Sequence, residues 1–110
     1  MMHTVAAVQM ISSPSVDDNL ATARRLVAQA AAGGAQLVVL PEYWAIMGKQ
    51  EMDKLAHAEQ PGSGPIQDGM AQMARQHGIW LIGGTLPLIS GQEGKVLNTC
   101  LLYTSDAADE

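Results

Sequence analysis

The chain has 110 residues, 47% hydrophobic and 15% charged, which fits one globular domain at most and excludes a disordered segment. Six Lys and Arg against eleven Asp and Glu give a net charge of −5, with Arg24-Arg25 the one adjacent basic pair. That excludes the concentrated positive field that nucleic acid or an anionic membrane surface requires.

A single cysteine rules out an internal disulfide framework and a multi-thiolate metal site. No apolar run reaches the roughly 20 residues of a spanning helix, and Met1-Met2-His3-Thr4 lacks the layout of a signal peptide. A cytoplasmic protein is expected.

Thr4 to Ile11 is near-continuously apolar and reads as a buried strand. Ser15, three residues before Asp18, predicts a helix cap, and Val16, Leu20, Ala23, Val27 and Ala30 follow at helical spacing until Gly33-Gly34. Ala35–Leu40 is the clearest buried strand, closed by Pro41. Strand, helix and strand with short joins make a βαβ unit, whose crossover is right-handed in nearly all cases.

A short helix is expected near Gln50–Ala58, then a loop over Gln60–Gly64, before which Glu59 is expected to be solvated. Pro65 suits the first turn of the next helix, Ile66, Met70, Met73 and His77 mark one face of it, and Gly78 ends it. Ile79–Ile82 predicts a strand running on through Gly83-Gly84-Thr85-Leu86 to Pro87. Ser90–Gly94 is a turn, and a further strand begins at Lys95–Thr99. The class is α/β, with at least four strands and two well-marked helices.

Several chemistries are absent. The loop after the first strand, Ile11-Ser12-Ser13-Pro14-Ser15, has none of the glycines that let a backbone approach a pyrophosphate. Gly62-Ser63-Gly64 lacks a lysine and reads as a plain turn before a helix. No serine sits in a Gly-x-Ser-x-Gly elbow, and His3, His57 and His77 have no metal-ligand spacing. His77 reads as a packed residue favoured by the helix C-terminus. No cofactor or metal is called for.

Glu42 stands out. It directly follows the most buried-looking strand, and open α/β sheets bind ligands beyond the carboxyl ends of their strands. Pro41 holds Leu40 extended and stiffens the approach. Desolvation beside Tyr43 and Trp44 is expected to suit the carboxylate to general-base work, the alternative being an ordinary solvated loop glutamate.

The ordered set of segments resembles the N-terminal part of the nitrilase superfamily, the carbon–nitrogen hydrolases. Val5-Ala6-Ala7-Val8-Gln9-Met10 is similar to that family's opening strand and Asn19-Leu20 to the start of its first helix. Gly34-Ala35-Gln36-Leu37-Val38-Val39-Leu40-Pro41-Glu42 is similar to the segment with the catalytic glutamate, and Gly83-Gly84-Thr85 and Asn98-Thr99 match in order and spacing. The likeness covers nearly all of residues 4–99, a single partial domain.

The resemblance implies part of a four-layer α-β-β-α sandwich and hydrolysis of an amide or nitrile by a Glu-Lys-Cys triad through a cysteine thioester. Glu42 is then the base. The family's lysine and cysteine come later than this chain reaches, so the fragment is expected to be inactive. Lys95 lies in a turn and Cys100 stands too early, so neither matches. A small aliphatic amide is the favoured substrate, in the manner of an ω-amidase or deaminated-glutathione amidase. A nitrilase and a non-catalytic α/β binding module are the alternatives. A homo-oligomer is implied for the full-length parent.

Residues 100–110, Cys-Leu-Leu-Tyr-Thr-Ser-Asp-Ala-Ala-Asp-Glu, are identified as one translated frame of a transposase sequencing adapter. They are expected to be a non-native tail on a truncated gene product. Without Asp106, Asp109 and Glu110 the net charge becomes −2, and no cysteine remains.

Overall fold

In chain order the elements are β1 (Val5–Ala7), α1 (Val16–Ala32), β2 (Leu37–Leu40), α2 (Glu51–His57), α3 (Pro65–His77), β3 (Trp80–Gly83), β4 (Leu86–Ile89), β5 (Val96–Thr99) and β6 (Leu102–Tyr103). They belong to a computed structural model that describes residues 3–47 and 51–105. Met1-Met2, Gly48, the expected helix start at Gln50 and Asp106–Glu110 of the expected tail lie outside the described residues.

Each helix forms where its ends are specified. Ser15 Oγ accepts the Asp18 N–H at 3.2 Å, and Asp17 and Asp18 sit favourably in the first turn of α1. Gly34, at φ 94°, takes the left-handed turn that carries the chain out of α1 towards β2. Pro65 starts α3, and Gly78 closes it in the left-handed conformation, its N–H returning to Ala74 and Arg75 carbonyls.

The main sheet has the order β1-β2-β3-β6, parallel through its first three strands and antiparallel at the last pair. Register sorts its side chains into two rows. Ala6, Val38, Leu81 and Tyr103 share one face, joined by Leu40 opposite Gly83. That face packs on Leu20, Ala23 and Val27 of α1 and on Ile66, Met70, Met73 and Ala74 of α3. Fully burying one such aliphatic side chain contributes about 1.5–3 kcal/mol, so this is where the described core gains its stability.

The other row contains Val5, Ala7, Leu37, Val39, Trp80, Ile82 and Leu102. It is apolar too, yet Val5 is 59%, Trp80 52% and Leu102 54% exposed. Parallel sheets are ordinarily covered on both faces, and the described residues leave this face only partly covered. The α/β class and the partial sandwich agree with this arrangement.

Three expectations need correction. The opening strand is three residues long, not eight, and it is not buried: β1 is an edge strand whose Val5 and Ala7 are exposed, with only Ala6 half-buried against the core. A separate strand, β4, runs through Pro87 and pairs with β5 as a hairpin (Leu86 with Thr99, Pro87 with Asn98). Pro87 is tolerated because its nitrogen lies on the edge of β4 away from β5, where a single bridge, Glu59 opposite Leu88, uses only the Pro87 carbonyl and the Ile89 N–H. Glu59 is 7% exposed and not solvated. Its Oε2 accepts the Ile66 N–H at 2.6 Å, and its Oε1 accepts the Gln67 N–H at 3.0 Å.

Glu59 therefore caps α3, whose own cap position is Gly64 and has no side chain to do so. The Ile66 and Gln67 N–H groups at the start of α3 are thereby occupied by the protein's own carboxylate.

Candidate functional site

Glu42 sits two residues beyond the end of β2, in a turn completed by Tyr43. This turn is built against the segment that joins β3 to β4. Leu40 lies opposite Gly83 in the sheet register. A Cβ on Gly84 would overlap the carbonyl oxygens of Leu40 and Pro41, so only glycine allows this approach. Thr85 Oγ1 then accepts the Tyr43 N–H at 2.9 Å. Tyr43 itself has φ 51°, an uncommon conformation for a residue with a side chain.

A second set of bonds holds the chain after the turn. Asn19 is 2% exposed, and its side-chain amide donates to the carbonyls of Ser13 at 2.7 Å and Ala45 at 2.8 Å while accepting the Ser13 N–H at 2.9 Å. Ser12 Oγ donates to the Trp44 carbonyl at 2.7 Å, and the Met47 N–H donates to the Ser13 carbonyl at 3.0 Å. Trp44, Ala45 and Ile46 are all fully buried beneath the turn. Glu42 is thus fixed from both sides through its backbone.

Asn19→Ala leaves the Ser13 N–H and Ala45 carbonyl without their buried partner. We expect it to destabilise the full-length protein by about 2–3 kcal/mol in chemical denaturation. A change below about 0.5 kcal/mol, the ordinary range for a neutral substitution, would show that this tie supports nothing.

The Glu42 residue itself is exposed. The desolvation expected from Tyr43 and Trp44 is not found: Trp44 turns into the core, and Tyr43 stacks under Lys54, whose Nζ stands 3.8 Å from the ring centroid. Any enclosure of the carboxylate has to come from residues other than those described. A recess of about 230 Å³ lies beside His57, Glu59 and Pro65, and another of about 450 Å³ beside His3, Gln36 and Trp80. Glu42 lines neither.

Other singled-out residues stay apart from this turn. Lys95 is exposed in the β4–β5 turn, its carbonyl accepting from Ser90 Oγ at 2.8 Å. His77 ends α3 and is half-buried. Cys100 is an exposed free thiol. Among the described residues no three His, Cys, Asp or Glu side chains gather as metal ligands.

Sequence reasoning missed the roles of Asn19, Thr85 and Glu59. For Glu59 a signal existed, since a helix opening on Gly64-Pro65 lacks a side-chain cap and invites an upstream acid. For Thr85, and for the Asn19 bond to Ala45, none did, because these partners lie 42 and 26 residues away in the chain.

Comparison with known proteins adds a family. The sequence pattern of the carbon–nitrogen hydrolases matches residues 4–108, a span that runs past Thr99. The chain is 35% identical over 102 residues to a deaminated glutathione amidase of Yersinia enterocolitica, covering 92% of this chain and 35% of that protein. It is 35% identical over 103 residues to omega-amidase NIT2 of Xenopus tropicalis, covering 93% of this chain and 36% of that protein. The crystal structure of the C. elegans NitFhit protein superposes with a TM-score of 0.80 at 24% identity, over 96% of this chain and 27% of that one. The chain spans about a third of the length of the curated relatives it matches.

Proposed function

Because the chain belongs to the carbon–nitrogen hydrolase family, we propose that it is the N-terminal part of an amidase acting on a small aliphatic ω-amide, with Glu42 as general base. The observation that supports Glu42 most directly is its place beyond the carboxyl end of β2, on a turn held from both sides. The substrate class follows the two amidase relatives.

In this reading the Glu42 carboxylate takes the proton of a cysteine thiol supplied by later sequence. The thiolate attacks the amide carbon, and a lysine, also from later sequence, supports the oxyanion. Collapse breaks the C–N bond, and the proton held by Glu42 leaves with ammonia. Water then gives Glu42 a proton and attacks the thioester, releasing the carboxylic acid and restoring the thiol. One of three catalytic groups is in this chain, so the chain by itself is inactive.

The full-length protein is, in the same proposal, a cytoplasmic homo-oligomer. None of the described helices is long and apolar enough to cross a membrane.

Residues 100–110 remain, in this proposal, a non-native tail. Their described part pairs with β3, Leu81 opposite Tyr103 and Ile82 opposite Leu102. Burial pushes the Tyr103 phenol above its ordinary range, with the carboxylates of Glu59 and Asp68 adding to the effect. Such pairing asks only for a short run that alternates between faces, so it carries no information about origin.

The experiment is to read the source DNA past the Thr99 codon and express the full frame. We expect an in-frame lysine and, later, cysteine, and release of ammonia and a carboxylate from an aliphatic ω-amide. Codons for Cys100–Glu110 and then a stop would contradict the tail assignment and leave a binding module. Turnover of a nitrile with none of the amide would make the protein a nitrilase.

A further inference from the structure

We propose that Thr85 is the positioning residue for Glu42: its hydroxyl holds the peptide that follows the base and thereby sets where the carboxylate points. This rests on the reading of Glu42 as the base. Three observations converge on the same few atoms. Tyr43, directly after Glu42, has φ 51°, a strained conformation for a residue with a Cβ that persists where its surroundings enforce it. The Tyr43 N–H is bound to Thr85 Oγ1 at 2.9 Å, a side-chain bond to a part-buried backbone group across 42 residues of sequence. The preceding residue, Gly84, lies so close to the Leu40 and Pro41 carbonyls that a Cβ would overlap them.

Consecutive residues therefore clamp the chain on both sides of Glu42. Gly84 bears on the peptides before it and Thr85 bonds the peptide after it. Neither touches reacting atoms. A base has to meet the proton it removes within hydrogen-bond reach, and a misplacement of about 1 Å costs on the order of 10²-fold in rate. Glu42 is exposed in this part of the fold, and the backbone clamp fixes the direction in which its Cα–Cβ bond leaves the chain.

The test compares Thr85→Val, Thr85→Ser and Ser90→Ala in the full-length protein. Valine keeps the shape and lacks the acceptor, whereas serine keeps the acceptor. Ser90 Oγ serves only the distant β4–β5 turn and is the hydroxyl control. For hydrolysis of an aliphatic ω-amide we expect Thr85→Val to lower kcat about 10-fold or more with KM nearly unchanged. Thr85→Ser should recover to within about 3-fold of the parent, and Ser90→Ala should match it. A second readout needs no activity. Hydrogen exchange of the Tyr43 amide should be slow in the parent and in Thr85→Ser, and fast in Thr85→Val.

Full kcat in Thr85→Val, equal loss in Thr85→Ser, or Tyr43 exchange unmoved by Thr85→Val would each overturn the positioning role. Glu42→Gln in the same protein separates the two claims. An inactive Glu42→Gln beside a normal Thr85→Val removes only Thr85, whereas an active Glu42→Gln removes the base assignment and Thr85's role with it.

Discussion

Glu42→Gln in the full-length protein should lower kcat/KM for an aliphatic ω-amide by at least about 10²-fold, roughly 3 kcal/mol of transition-state stabilisation. Glutamine matches the shape of glutamate and takes no proton, so the loss falls on the chemical step and not on substrate binding. Stability should hardly change, because the Glu42 side chain is exposed and the turn is anchored through backbone groups. Glu59, expected from sequence to be solvated, cannot serve as a matched control, since it caps α3 from a buried position. Glu93, exposed in the β4–β5 turn, takes that place, and Glu93→Gln should retain full activity.

The 110-residue chain expressed alone should aggregate or remain a loosely packed, dye-binding species. One face of the main sheet is sealed by α1 and α3, but the Val5–Leu37–Trp80 and Val39–Ile82–Leu102 rows stay open. Leu97 at 53% and Ile89 at 41% exposure extend the apolar surface onto the hairpin. Ordering each residue costs about 1–2 kcal/mol of backbone entropy, which a core covered on one side offsets poorly. Exposed sheet surfaces of this kind also pair with other copies. Size-exclusion chromatography with calorimetry decides it. A monodisperse monomer with a cooperative thermal transition would overturn this expectation.

Local signals gave most of the legible fold. Ser15, Gly78 and the branched run Leu37–Leu40 each specify an element through neighbours in sequence, and each stands where expected. Elements set by distant partners were not legible. β1 reads as buried because its residues are apolar, but burial depends on what covers the second face. Pro87 hides β4, because proline argues against a strand until it is known that no ladder bond calls on its nitrogen.

The site divides in the same way. Glu42 is marked by its place after a strand and by family resemblance, and the structure puts it beyond the carboxyl end of β2. The Thr85 and Asn19 bonds that fix its turn have no sequence signature. Its expected desolvation fails because Trp44 points into the core.

We propose Glu42 as the base that activates a thiol supplied by the rest of the protein. Rapid-quench mass spectrometry of the full-length protein mixed with an ω-amide tests it most directly, by following the acyl adduct on the cysteine. The adduct should form and decay in the parent, and its formation should slow at least about 10²-fold in folded Glu42→Gln. Adduct formation at the parental rate in Glu42→Gln would contradict the account.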